Sequence, residues 1–194
     1  NVSSEGADVT VDGSTINCLD KNQTAGEAYA ALSLNMESIG GKIIATNTTI
    51  NVEAGSDSHK GRNSAEDGVV TIDGSTEGVV VMVAVIKSNP SDVYYYTNAS
   101  LAEAVEFAKN GDVITLIRDI EITETITIER DVTINLNGNK LTANVNKGRA
   151  FDIVADDVEF TLNATDSQIE FGNGTYGIIQ FKDDATGNKV VVNG

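Results

Sequence analysis

The sequence predicts an all-β chain of short, coiled strands with one short helix near its middle. Three observations carry that prediction. Residues 100–109 show helical periodicity behind a capping signal, the chain after Gly111 alternates apolar and polar residues, and the alternating segments repeat in a fixed order.

Along the chain, VTVDGST at Val9–Thr15 returns as VTIDGST at Val70–Thr76, 61 residues on, and VTINLNG begins at Val132 after a further 62. That spacing leaves room for two or three coils between copies, so residues 1–88 are expected to be β-rich and coiled too. An independent β-sandwich is the competing reading for this portion. Glu53 to Gly68 is polar and glycine-bearing, which reads as a long loop or projecting turn holding the only histidine, His59. Gly78–Ile86 (GVVVMVAVI) is too short to span a membrane and suits one buried strand. Residues 89–99 contain the only proline, Pro90, and read as a linker.

Ser100 is a good helix N-cap, and Glu103 three residues later completes a capping box. Leu101, Ala104, Val105 and Ala108 fall on one face, and Gly111 is the expected stop. Period 2 then takes over. VTINLN at Val132–Asn137 recurs as VEFTLN at Val158–Asn163, an offset of 26, while Leu141 and Ala143 recur as Ile169 and Phe171, and Phe151 and Ile153 as Ile179 and Phe181, at offset 28. Lys189–Asn193 (KVVVN) opens a further copy, so the repeat over 100–194 is expected to continue beyond Gly194. Three short strands repeating every 20 to 30 residues is the requirement of a solenoid, in which each coil buries its inward side chains only against its neighbours.

From about Ser100 onward the chain resembles the right-handed parallel β-helix of the pectate-lyase-like superfamily, as it occurs in bacterial surface and secreted proteins. The resemblance rests on the helix SLAEAVEFAKNGDVITL ahead of the first coil and on Asn137, Asn163 and Asn193, which match that family's corner asparagine ladder. It implies a fold and not one activity, because lyases, hydrolases, adhesins and phage tailspikes share it.

The chain has 194 residues, a formal charge of −16, a pI near 4.2 and 40% hydrophobic residues. It is long enough for a real core, and the acidity makes nucleic acid and anionic membrane poor partners. One cysteine, Cys18, and one histidine leave no intrachain disulfide, zinc site or histidine triad. The family's lyases hold calcium with clustered aspartates and use an arginine or lysine as base. Here Asp156–Asp157 and Asp183–Asp184 are the adjacent aspartate pairs; neighbours on a strand face opposite ways, so both pairs read as turns. Arg118 before Asp119, and Arg130 before Asp131, suggest turn ion pairs.

Tyr94 and Tyr96 would share one face of a strand, in a chain with five tyrosines, five phenylalanines and no tryptophan. They are the candidate ligand-binding residues, as a stacking platform for sugar rings or a partner surface; packing beside the cap helix is the preferred structural alternative. No catalytic residues and no cofactor are expected, with calcium the one ion the acidic surface suggests. The expected function is a non-enzymatic, secreted or cell-surface structural or adhesive module that binds glycans or a host surface protein. A polysaccharide lyase or hydrolase acting on acidic sugars, and a purely architectural stalk, are the alternatives.

Overall fold

The computed structural model describes residues 4–18, 29–35, 38–52, 58–76, 79–88, 93–97, 100–172 and 174–194. The chain divides into two compact units, Asn1–Met82 and Val83–Gly194. Strands dominate both, most of them in parallel sheets. Among the described residues no helix is long and apolar enough to cross a membrane.

The first unit has strands β1 (Asp8–Asp12), β2 (Thr15–Cys18), β3 (Tyr29–Leu34), β4 (Lys42–Thr46), β5 (Thr49–Val52), β6 (Ser58–Asn63), β7 (Val69–Ile72) and β8 (Val79–Val81). They form parallel sheets β1-β4-β7, β2-β5 and β3-β6-β8. Consecutive strands lie in different sheets, and a strand pairs with one from the next round, which antiparallel sandwich sheets do not do. Val9 stands beside Ile43 and Ile43 beside Val70, so the two VT-DGST phrases are two rounds apart in one column. Ile43, Ala45, Val70 and Ile72 from that column pack with Leu32, Leu34, Ile50 and Ala65 as the core of the unit.

Two sequence expectations are corrected here. Within the segment read as a loop, Ser58–Asn63 is strand β6, paired on both sides; residues 53–57 lie outside the described residues. Its polarity has a packing cause. A Cβ at Gly61 would come within 2.9 Å of Val79 Cγ2, and the Asn63 side chain ties the following turn by donating to Gly68 O (2.7 Å) and accepting from Ala65 N (3.1 Å). The apolar run at Gly78–Ile86 is likewise not one strand. β8 ends at Val81, and Ala84 begins a strand of the second unit.

The second unit contains β9 (Ala84–Ser88), β10 (Val93–Thr97), α1 (Leu101–Phe107), β11 (Asp112–Leu116), β12 (Ile120–Ile122), β13 (Ile126–Ile128), β14 (Val132–Asn135), β15 (Lys140–Ala143), β16 (Arg149–Ile153), β17 (Glu159–Asn163), β18 (Gln168–Phe171), β19 (Gly177–Phe181) and β20 (Lys189–Asn193). From β11 on, each strand pairs in parallel with the strand three later, giving β11-β14-β17-β20, β12-β15-β18 and β13-β16-β19. Inward residues stack in columns: Ile122, Ala143 and Phe171 in the second sheet, Ile126, Phe151 and Ile179 in the third. Phe151 and Phe160, from different sheets, meet across the interior with ring centroids 5.2 Å apart.

The offset of 28 expected for Leu141–Ile169 and Phe151–Ile179 is the observed register. The offset of 26 is not. Val132 stands beside Phe160 and Asn135 beside Asn163, so the VTINLN and VEFTLN phrases are also 28 apart in space. A slip of two preserves which face each residue takes, so alternation alone cannot distinguish the two registers. The asparagine column is therefore Asn135, Asn163 and Asn193, with Asn193 Nδ2 donating to Asn163 Oδ1 at 2.6 Å. Asn137 instead occupies the turn at φ +53, where its amide donates to Asn135 Oδ1 (3.0 Å).

The start of these rounds is closed by elements of a different kind. β9 pairs antiparallel with β11, and β10 antiparallel with β9, so Val93–Thr97 inside the expected linker is strand; residues 89–92 and 98–99 lie outside the described residues. Ser100 Oγ accepts from Glu103 N (3.1 Å), as the capping signal predicts. Leu101, Ala104, Val105 and Ala108 join the core, and α1 lies against β13. The helix ends at Phe107, earlier than the expected Lys109, because Ala108 turns extended at ψ 143. Arg130 secures that end: Nη1 donates to Glu106 O (3.0 Å) and Ala108 O (2.7 Å), carbonyls that a helix terminus leaves without partners. The expected Arg130–Asp131 pair is replaced by this contact. Asp131 instead accepts from Glu159 N (2.8 Å), and Asp119 from Lys140 N (2.8 Å), each bracing the next round.

Phe151→Ala removes a fully buried ring from this interior. The expected loss is about 3–5 kcal/mol of unfolding free energy, measured by urea denaturation; a loss below about 1 kcal/mol would contradict the packing described.

Candidate functional site

Tyr94 and Tyr96 lie on β10, an edge strand whose backbone places them beside Lys87 and Val85 of β9. Their side chains lie outside the described residues, as does that of His59, whose backbone pairs with Ala30. Asp156–Asp157 and Asp183–Asp184 both sit in turns, as expected. Asp156 is a brace between rounds. Its Oδ1 accepts from Thr186 N (2.6 Å) and Thr186 Oγ1 (3.0 Å), and those bonds, the backbone one foremost, hold its carboxyl below the usual aspartate range. Asp12 is lowered in the same way by the Thr46 and Asn47 side chains, at 2.8 and 3.1 Å. Among the described residues, no group of three or more Asp, Glu, His or Cys is arranged to hold a metal ion.

The outward faces carry polar rows set by register. On β13-β16-β19, Thr127, Asp152 and Gln180 stand side by side, and Lys182 Nζ lies 3.4 Å from Asp152 Oδ2. At the entry to this sheet Tyr176 projects as a residue 63% exposed. The Arg149 guanidinium carbon is 5.4 Å from the ring centroid, within the range of cation–π attraction. The sequence builds this contact through two neighbours. Gly177 has no side chain where Arg149 crosses, since a Cβ there would meet Arg149 Cδ at 3.2 Å. Thr175 Oγ1 accepts from Val145 N (2.9 Å) while Tyr176 N donates to Gly148 O (2.8 Å), which fixes the backbone on either side of the ring. The result is an exposed aromatic surface with a guanidinium against it and a row of hydrogen-bonding side chains on the adjoining face.

A polar hollow of about 350 Å³ lies at another corner, among Asp119, Gly138, Lys140, Asp166 and Gln168. Gly138 turns at φ +83, and its backbone N–H donates to Ser167 Oγ (2.9 Å). Lys140 Nζ is 3.4 Å from Glu170 Oε2. This corner presents two carboxylates, an ammonium and an amide, all hydrogen-bonding groups suited to sugar hydroxyls. A further hollow of about 330 Å³ lies along the contact of α1 with β13, with Glu106, Glu129 and Arg130 in its wall.

No protein-family model, curated protein or solved structure matches the chain. The reading of function therefore rests on these faces.

The Asp156 brace makes a pH-dependent contribution of known sign. A carboxyl whose folded pKa lies below its unfolded value of about 3.9 stabilises fully above that value and loses the contribution as pH falls through the folded pKa. Urea midpoints at about pH 6 and about pH 3 should fall less with acid in Asp156→Asn than in the parent chain; equal falls would mean that the Thr186 bonds do not favour the carboxylate.

Proposed function

We propose that the chain is a right-handed parallel β-helical module of a secreted or cell-surface protein, with a structural and adhesive role and no catalysis of its own. In this reading the rounds form a rigid scaffold, and the face around Tyr176, Arg149, Asp152 and Gln180 docks glycans. One observation carries it: the in-register pairing of each strand with the strand three later turns the outward residues into polar rows beside an exposed aromatic ring. Sugar rings stack on aromatic faces through their C–H surfaces while their hydroxyls need donors and acceptors beside the ring. The resemblance of residues 100–194 to the pectate-lyase-like superfamily supports the coil, its handedness and its extracellular setting. The acidic surface supports partners that are neither nucleic acid nor anionic membrane.

The polysaccharide-lyase alternative draws on the corner hollow that Asp119, Lys140 and Asp166 line together. Release of unsaturated uronate from an acidic polysaccharide, dependent on calcium and lost in Lys140→Ala, would replace the adhesive reading with that one.

A glycan array probed with the parent chain, Tyr176→Ala and Arg149→Ala tests the proposal. Binding to at least one glycan class is expected, weakened about tenfold or more in Tyr176→Ala. Its melting temperature should hardly change, because an exposed side chain contributes little to stability. An empty array together with no binding to cells would leave the architectural stalk as the function.

A further inference from the structure

The hollow of about 330 Å³ along the contact of α1 with β13 is lined by the helix and the first round of the second unit. Ala102, Val105 and Glu106 fall on one helix face, and Thr125–Arg130 form the wall across from them. β13 brings an open main-chain edge. Among the described residues it pairs only with β16, and Val154 N donates to Ile128 O (3.1 Å). In a parallel ladder alternate residues bond to one neighbour, so Ile126 and Ile128 turn their main-chain groups to β16 and Thr127 turns its N–H and C=O the other way. Those two groups have no hydrogen bond among the described residues. A free edge N–H and C=O is what the main chain of an extended segment pairs with.

The charges of the walls choose the side chain. They are Glu106, Glu129 and Arg130, which leaves one negative charge in excess. Arg130 is already engaged: Nη1 donates to Glu106 O and Ala108 O, and Nη2 lies 3.7 Å from Glu129 Oε2. The Glu106 carboxylate has no partner among the described residues. It stands in the last turn of α1, where the carbonyl end of a helix favours a cation. Size agrees with one residue. At roughly 30 Å³ per water the hollow has the volume of about ten waters, room for one long side chain and its main chain but not for a folded element. We infer that the hollow receives a lysine or arginine from an extended segment of a partner protein, its main chain paired with Thr127 and its cation between the Glu106 and Glu129 carboxylates. Glu129 is two residues along β13 from Thr127 and so shares its face, and Ala102 and Val105 supply apolar surface for the aliphatic stem. Main-chain pairing binds any extended segment, while the unbalanced carboxylate selects a basic one.

Titration of the isotope-labelled whole chain with the peptide acetyl-Val-Lys-Val-amide, read from backbone amide shifts, is the test. Saturable shifts at Thr127 and Glu106 are expected, with a dissociation constant of about 1 mM or below. Acetyl-Val-Glu-Val-amide, and the lysine peptide methylated at its lysine N–H, should each bind about tenfold or more weakly. Glu106→Lys should reverse the preference between the lysine and glutamate peptides. Thr127→Pro removes the edge N–H and leaves the β13–β16 ladder intact, a position at which proline is tolerated, and should abolish binding. A circular dichroism melt shows whether that variant folds, and the methylated peptide tests the main-chain pairing without it. No shifts at about 10 mM peptide, equal binding of the glutamate or methylated peptide, or full binding by a folded Thr127→Pro would each overturn the inference.

Discussion

Stacking of like inward positions from one round onto the next is the constraint on which the rest depends. A round of three strands of three to five residues has no interior of its own, and its apolar side chains leave water only when another round lies on each side. The second unit shows this directly. Phe151 and Phe160 are fully buried with rounds above and below, whereas Phe171 and Phe181, at equivalent inward positions of the last round, are about half exposed. Once the inward columns are fixed, period 2 sets everything outside them. Glu121, Thr142 and Glu170 must line one outer face, Thr127, Asp152 and Gln180 another, and the asparagines must meet at the corner.

Corners hold the register that alternation leaves open. Asn135, Asp131, Asp119 and Asp156 each accept from a backbone amide or bond to the neighbouring round, so short polar side chains replace the ladder bonds that the turns interrupt. The start of the second unit uses the same logic with other parts. Buried Asp112 accepts from Ser88 Oγ (3.0 Å) and Lys109 N (2.8 Å), tying β9, the end of the helix and β11 together. Arg130, from the turn before β14, returns to the helix carbonyls. The start of the second unit is thus sealed by an antiparallel pair and a helix.

The repeat, the helix cap and the 28-residue columns through Leu141 and Phe151 were legible because periodicity and capping are local signals. The VTINLN phrase misled because sequence likeness favoured 26 while the turn lengths set 28, a difference invisible to a period of two. β6 was hidden by its composition: Gly61 and Asn63 read as loop, yet one makes room for Val79 and the other ties a turn. The apolar run before Ser88 and the alternation at Tyr94 and Tyr96 both pointed to strand, but nothing local showed that β9 and β10 pair antiparallel across Pro90. Tyr176 was missed because its role depends on register. The offset of 28 at Phe151 and Ile179 places Arg149 beside Gly177, and with it the guanidinium beside Tyr176, so the signal was the column and not the tyrosine.

The measurement that bears most directly on this account is the set of backbone nuclear Overhauser contacts in the second unit, from an isotope-labelled sample in solution. The account predicts parallel-strand contacts between residues 28 apart, Ile134 to Leu162 and Leu141 to Ile169 among them. Close Hα–Hα contacts between consecutive strands such as β14 and β15, the mark of antiparallel hairpins, or a register of 26 between β14 and β17, would contradict it.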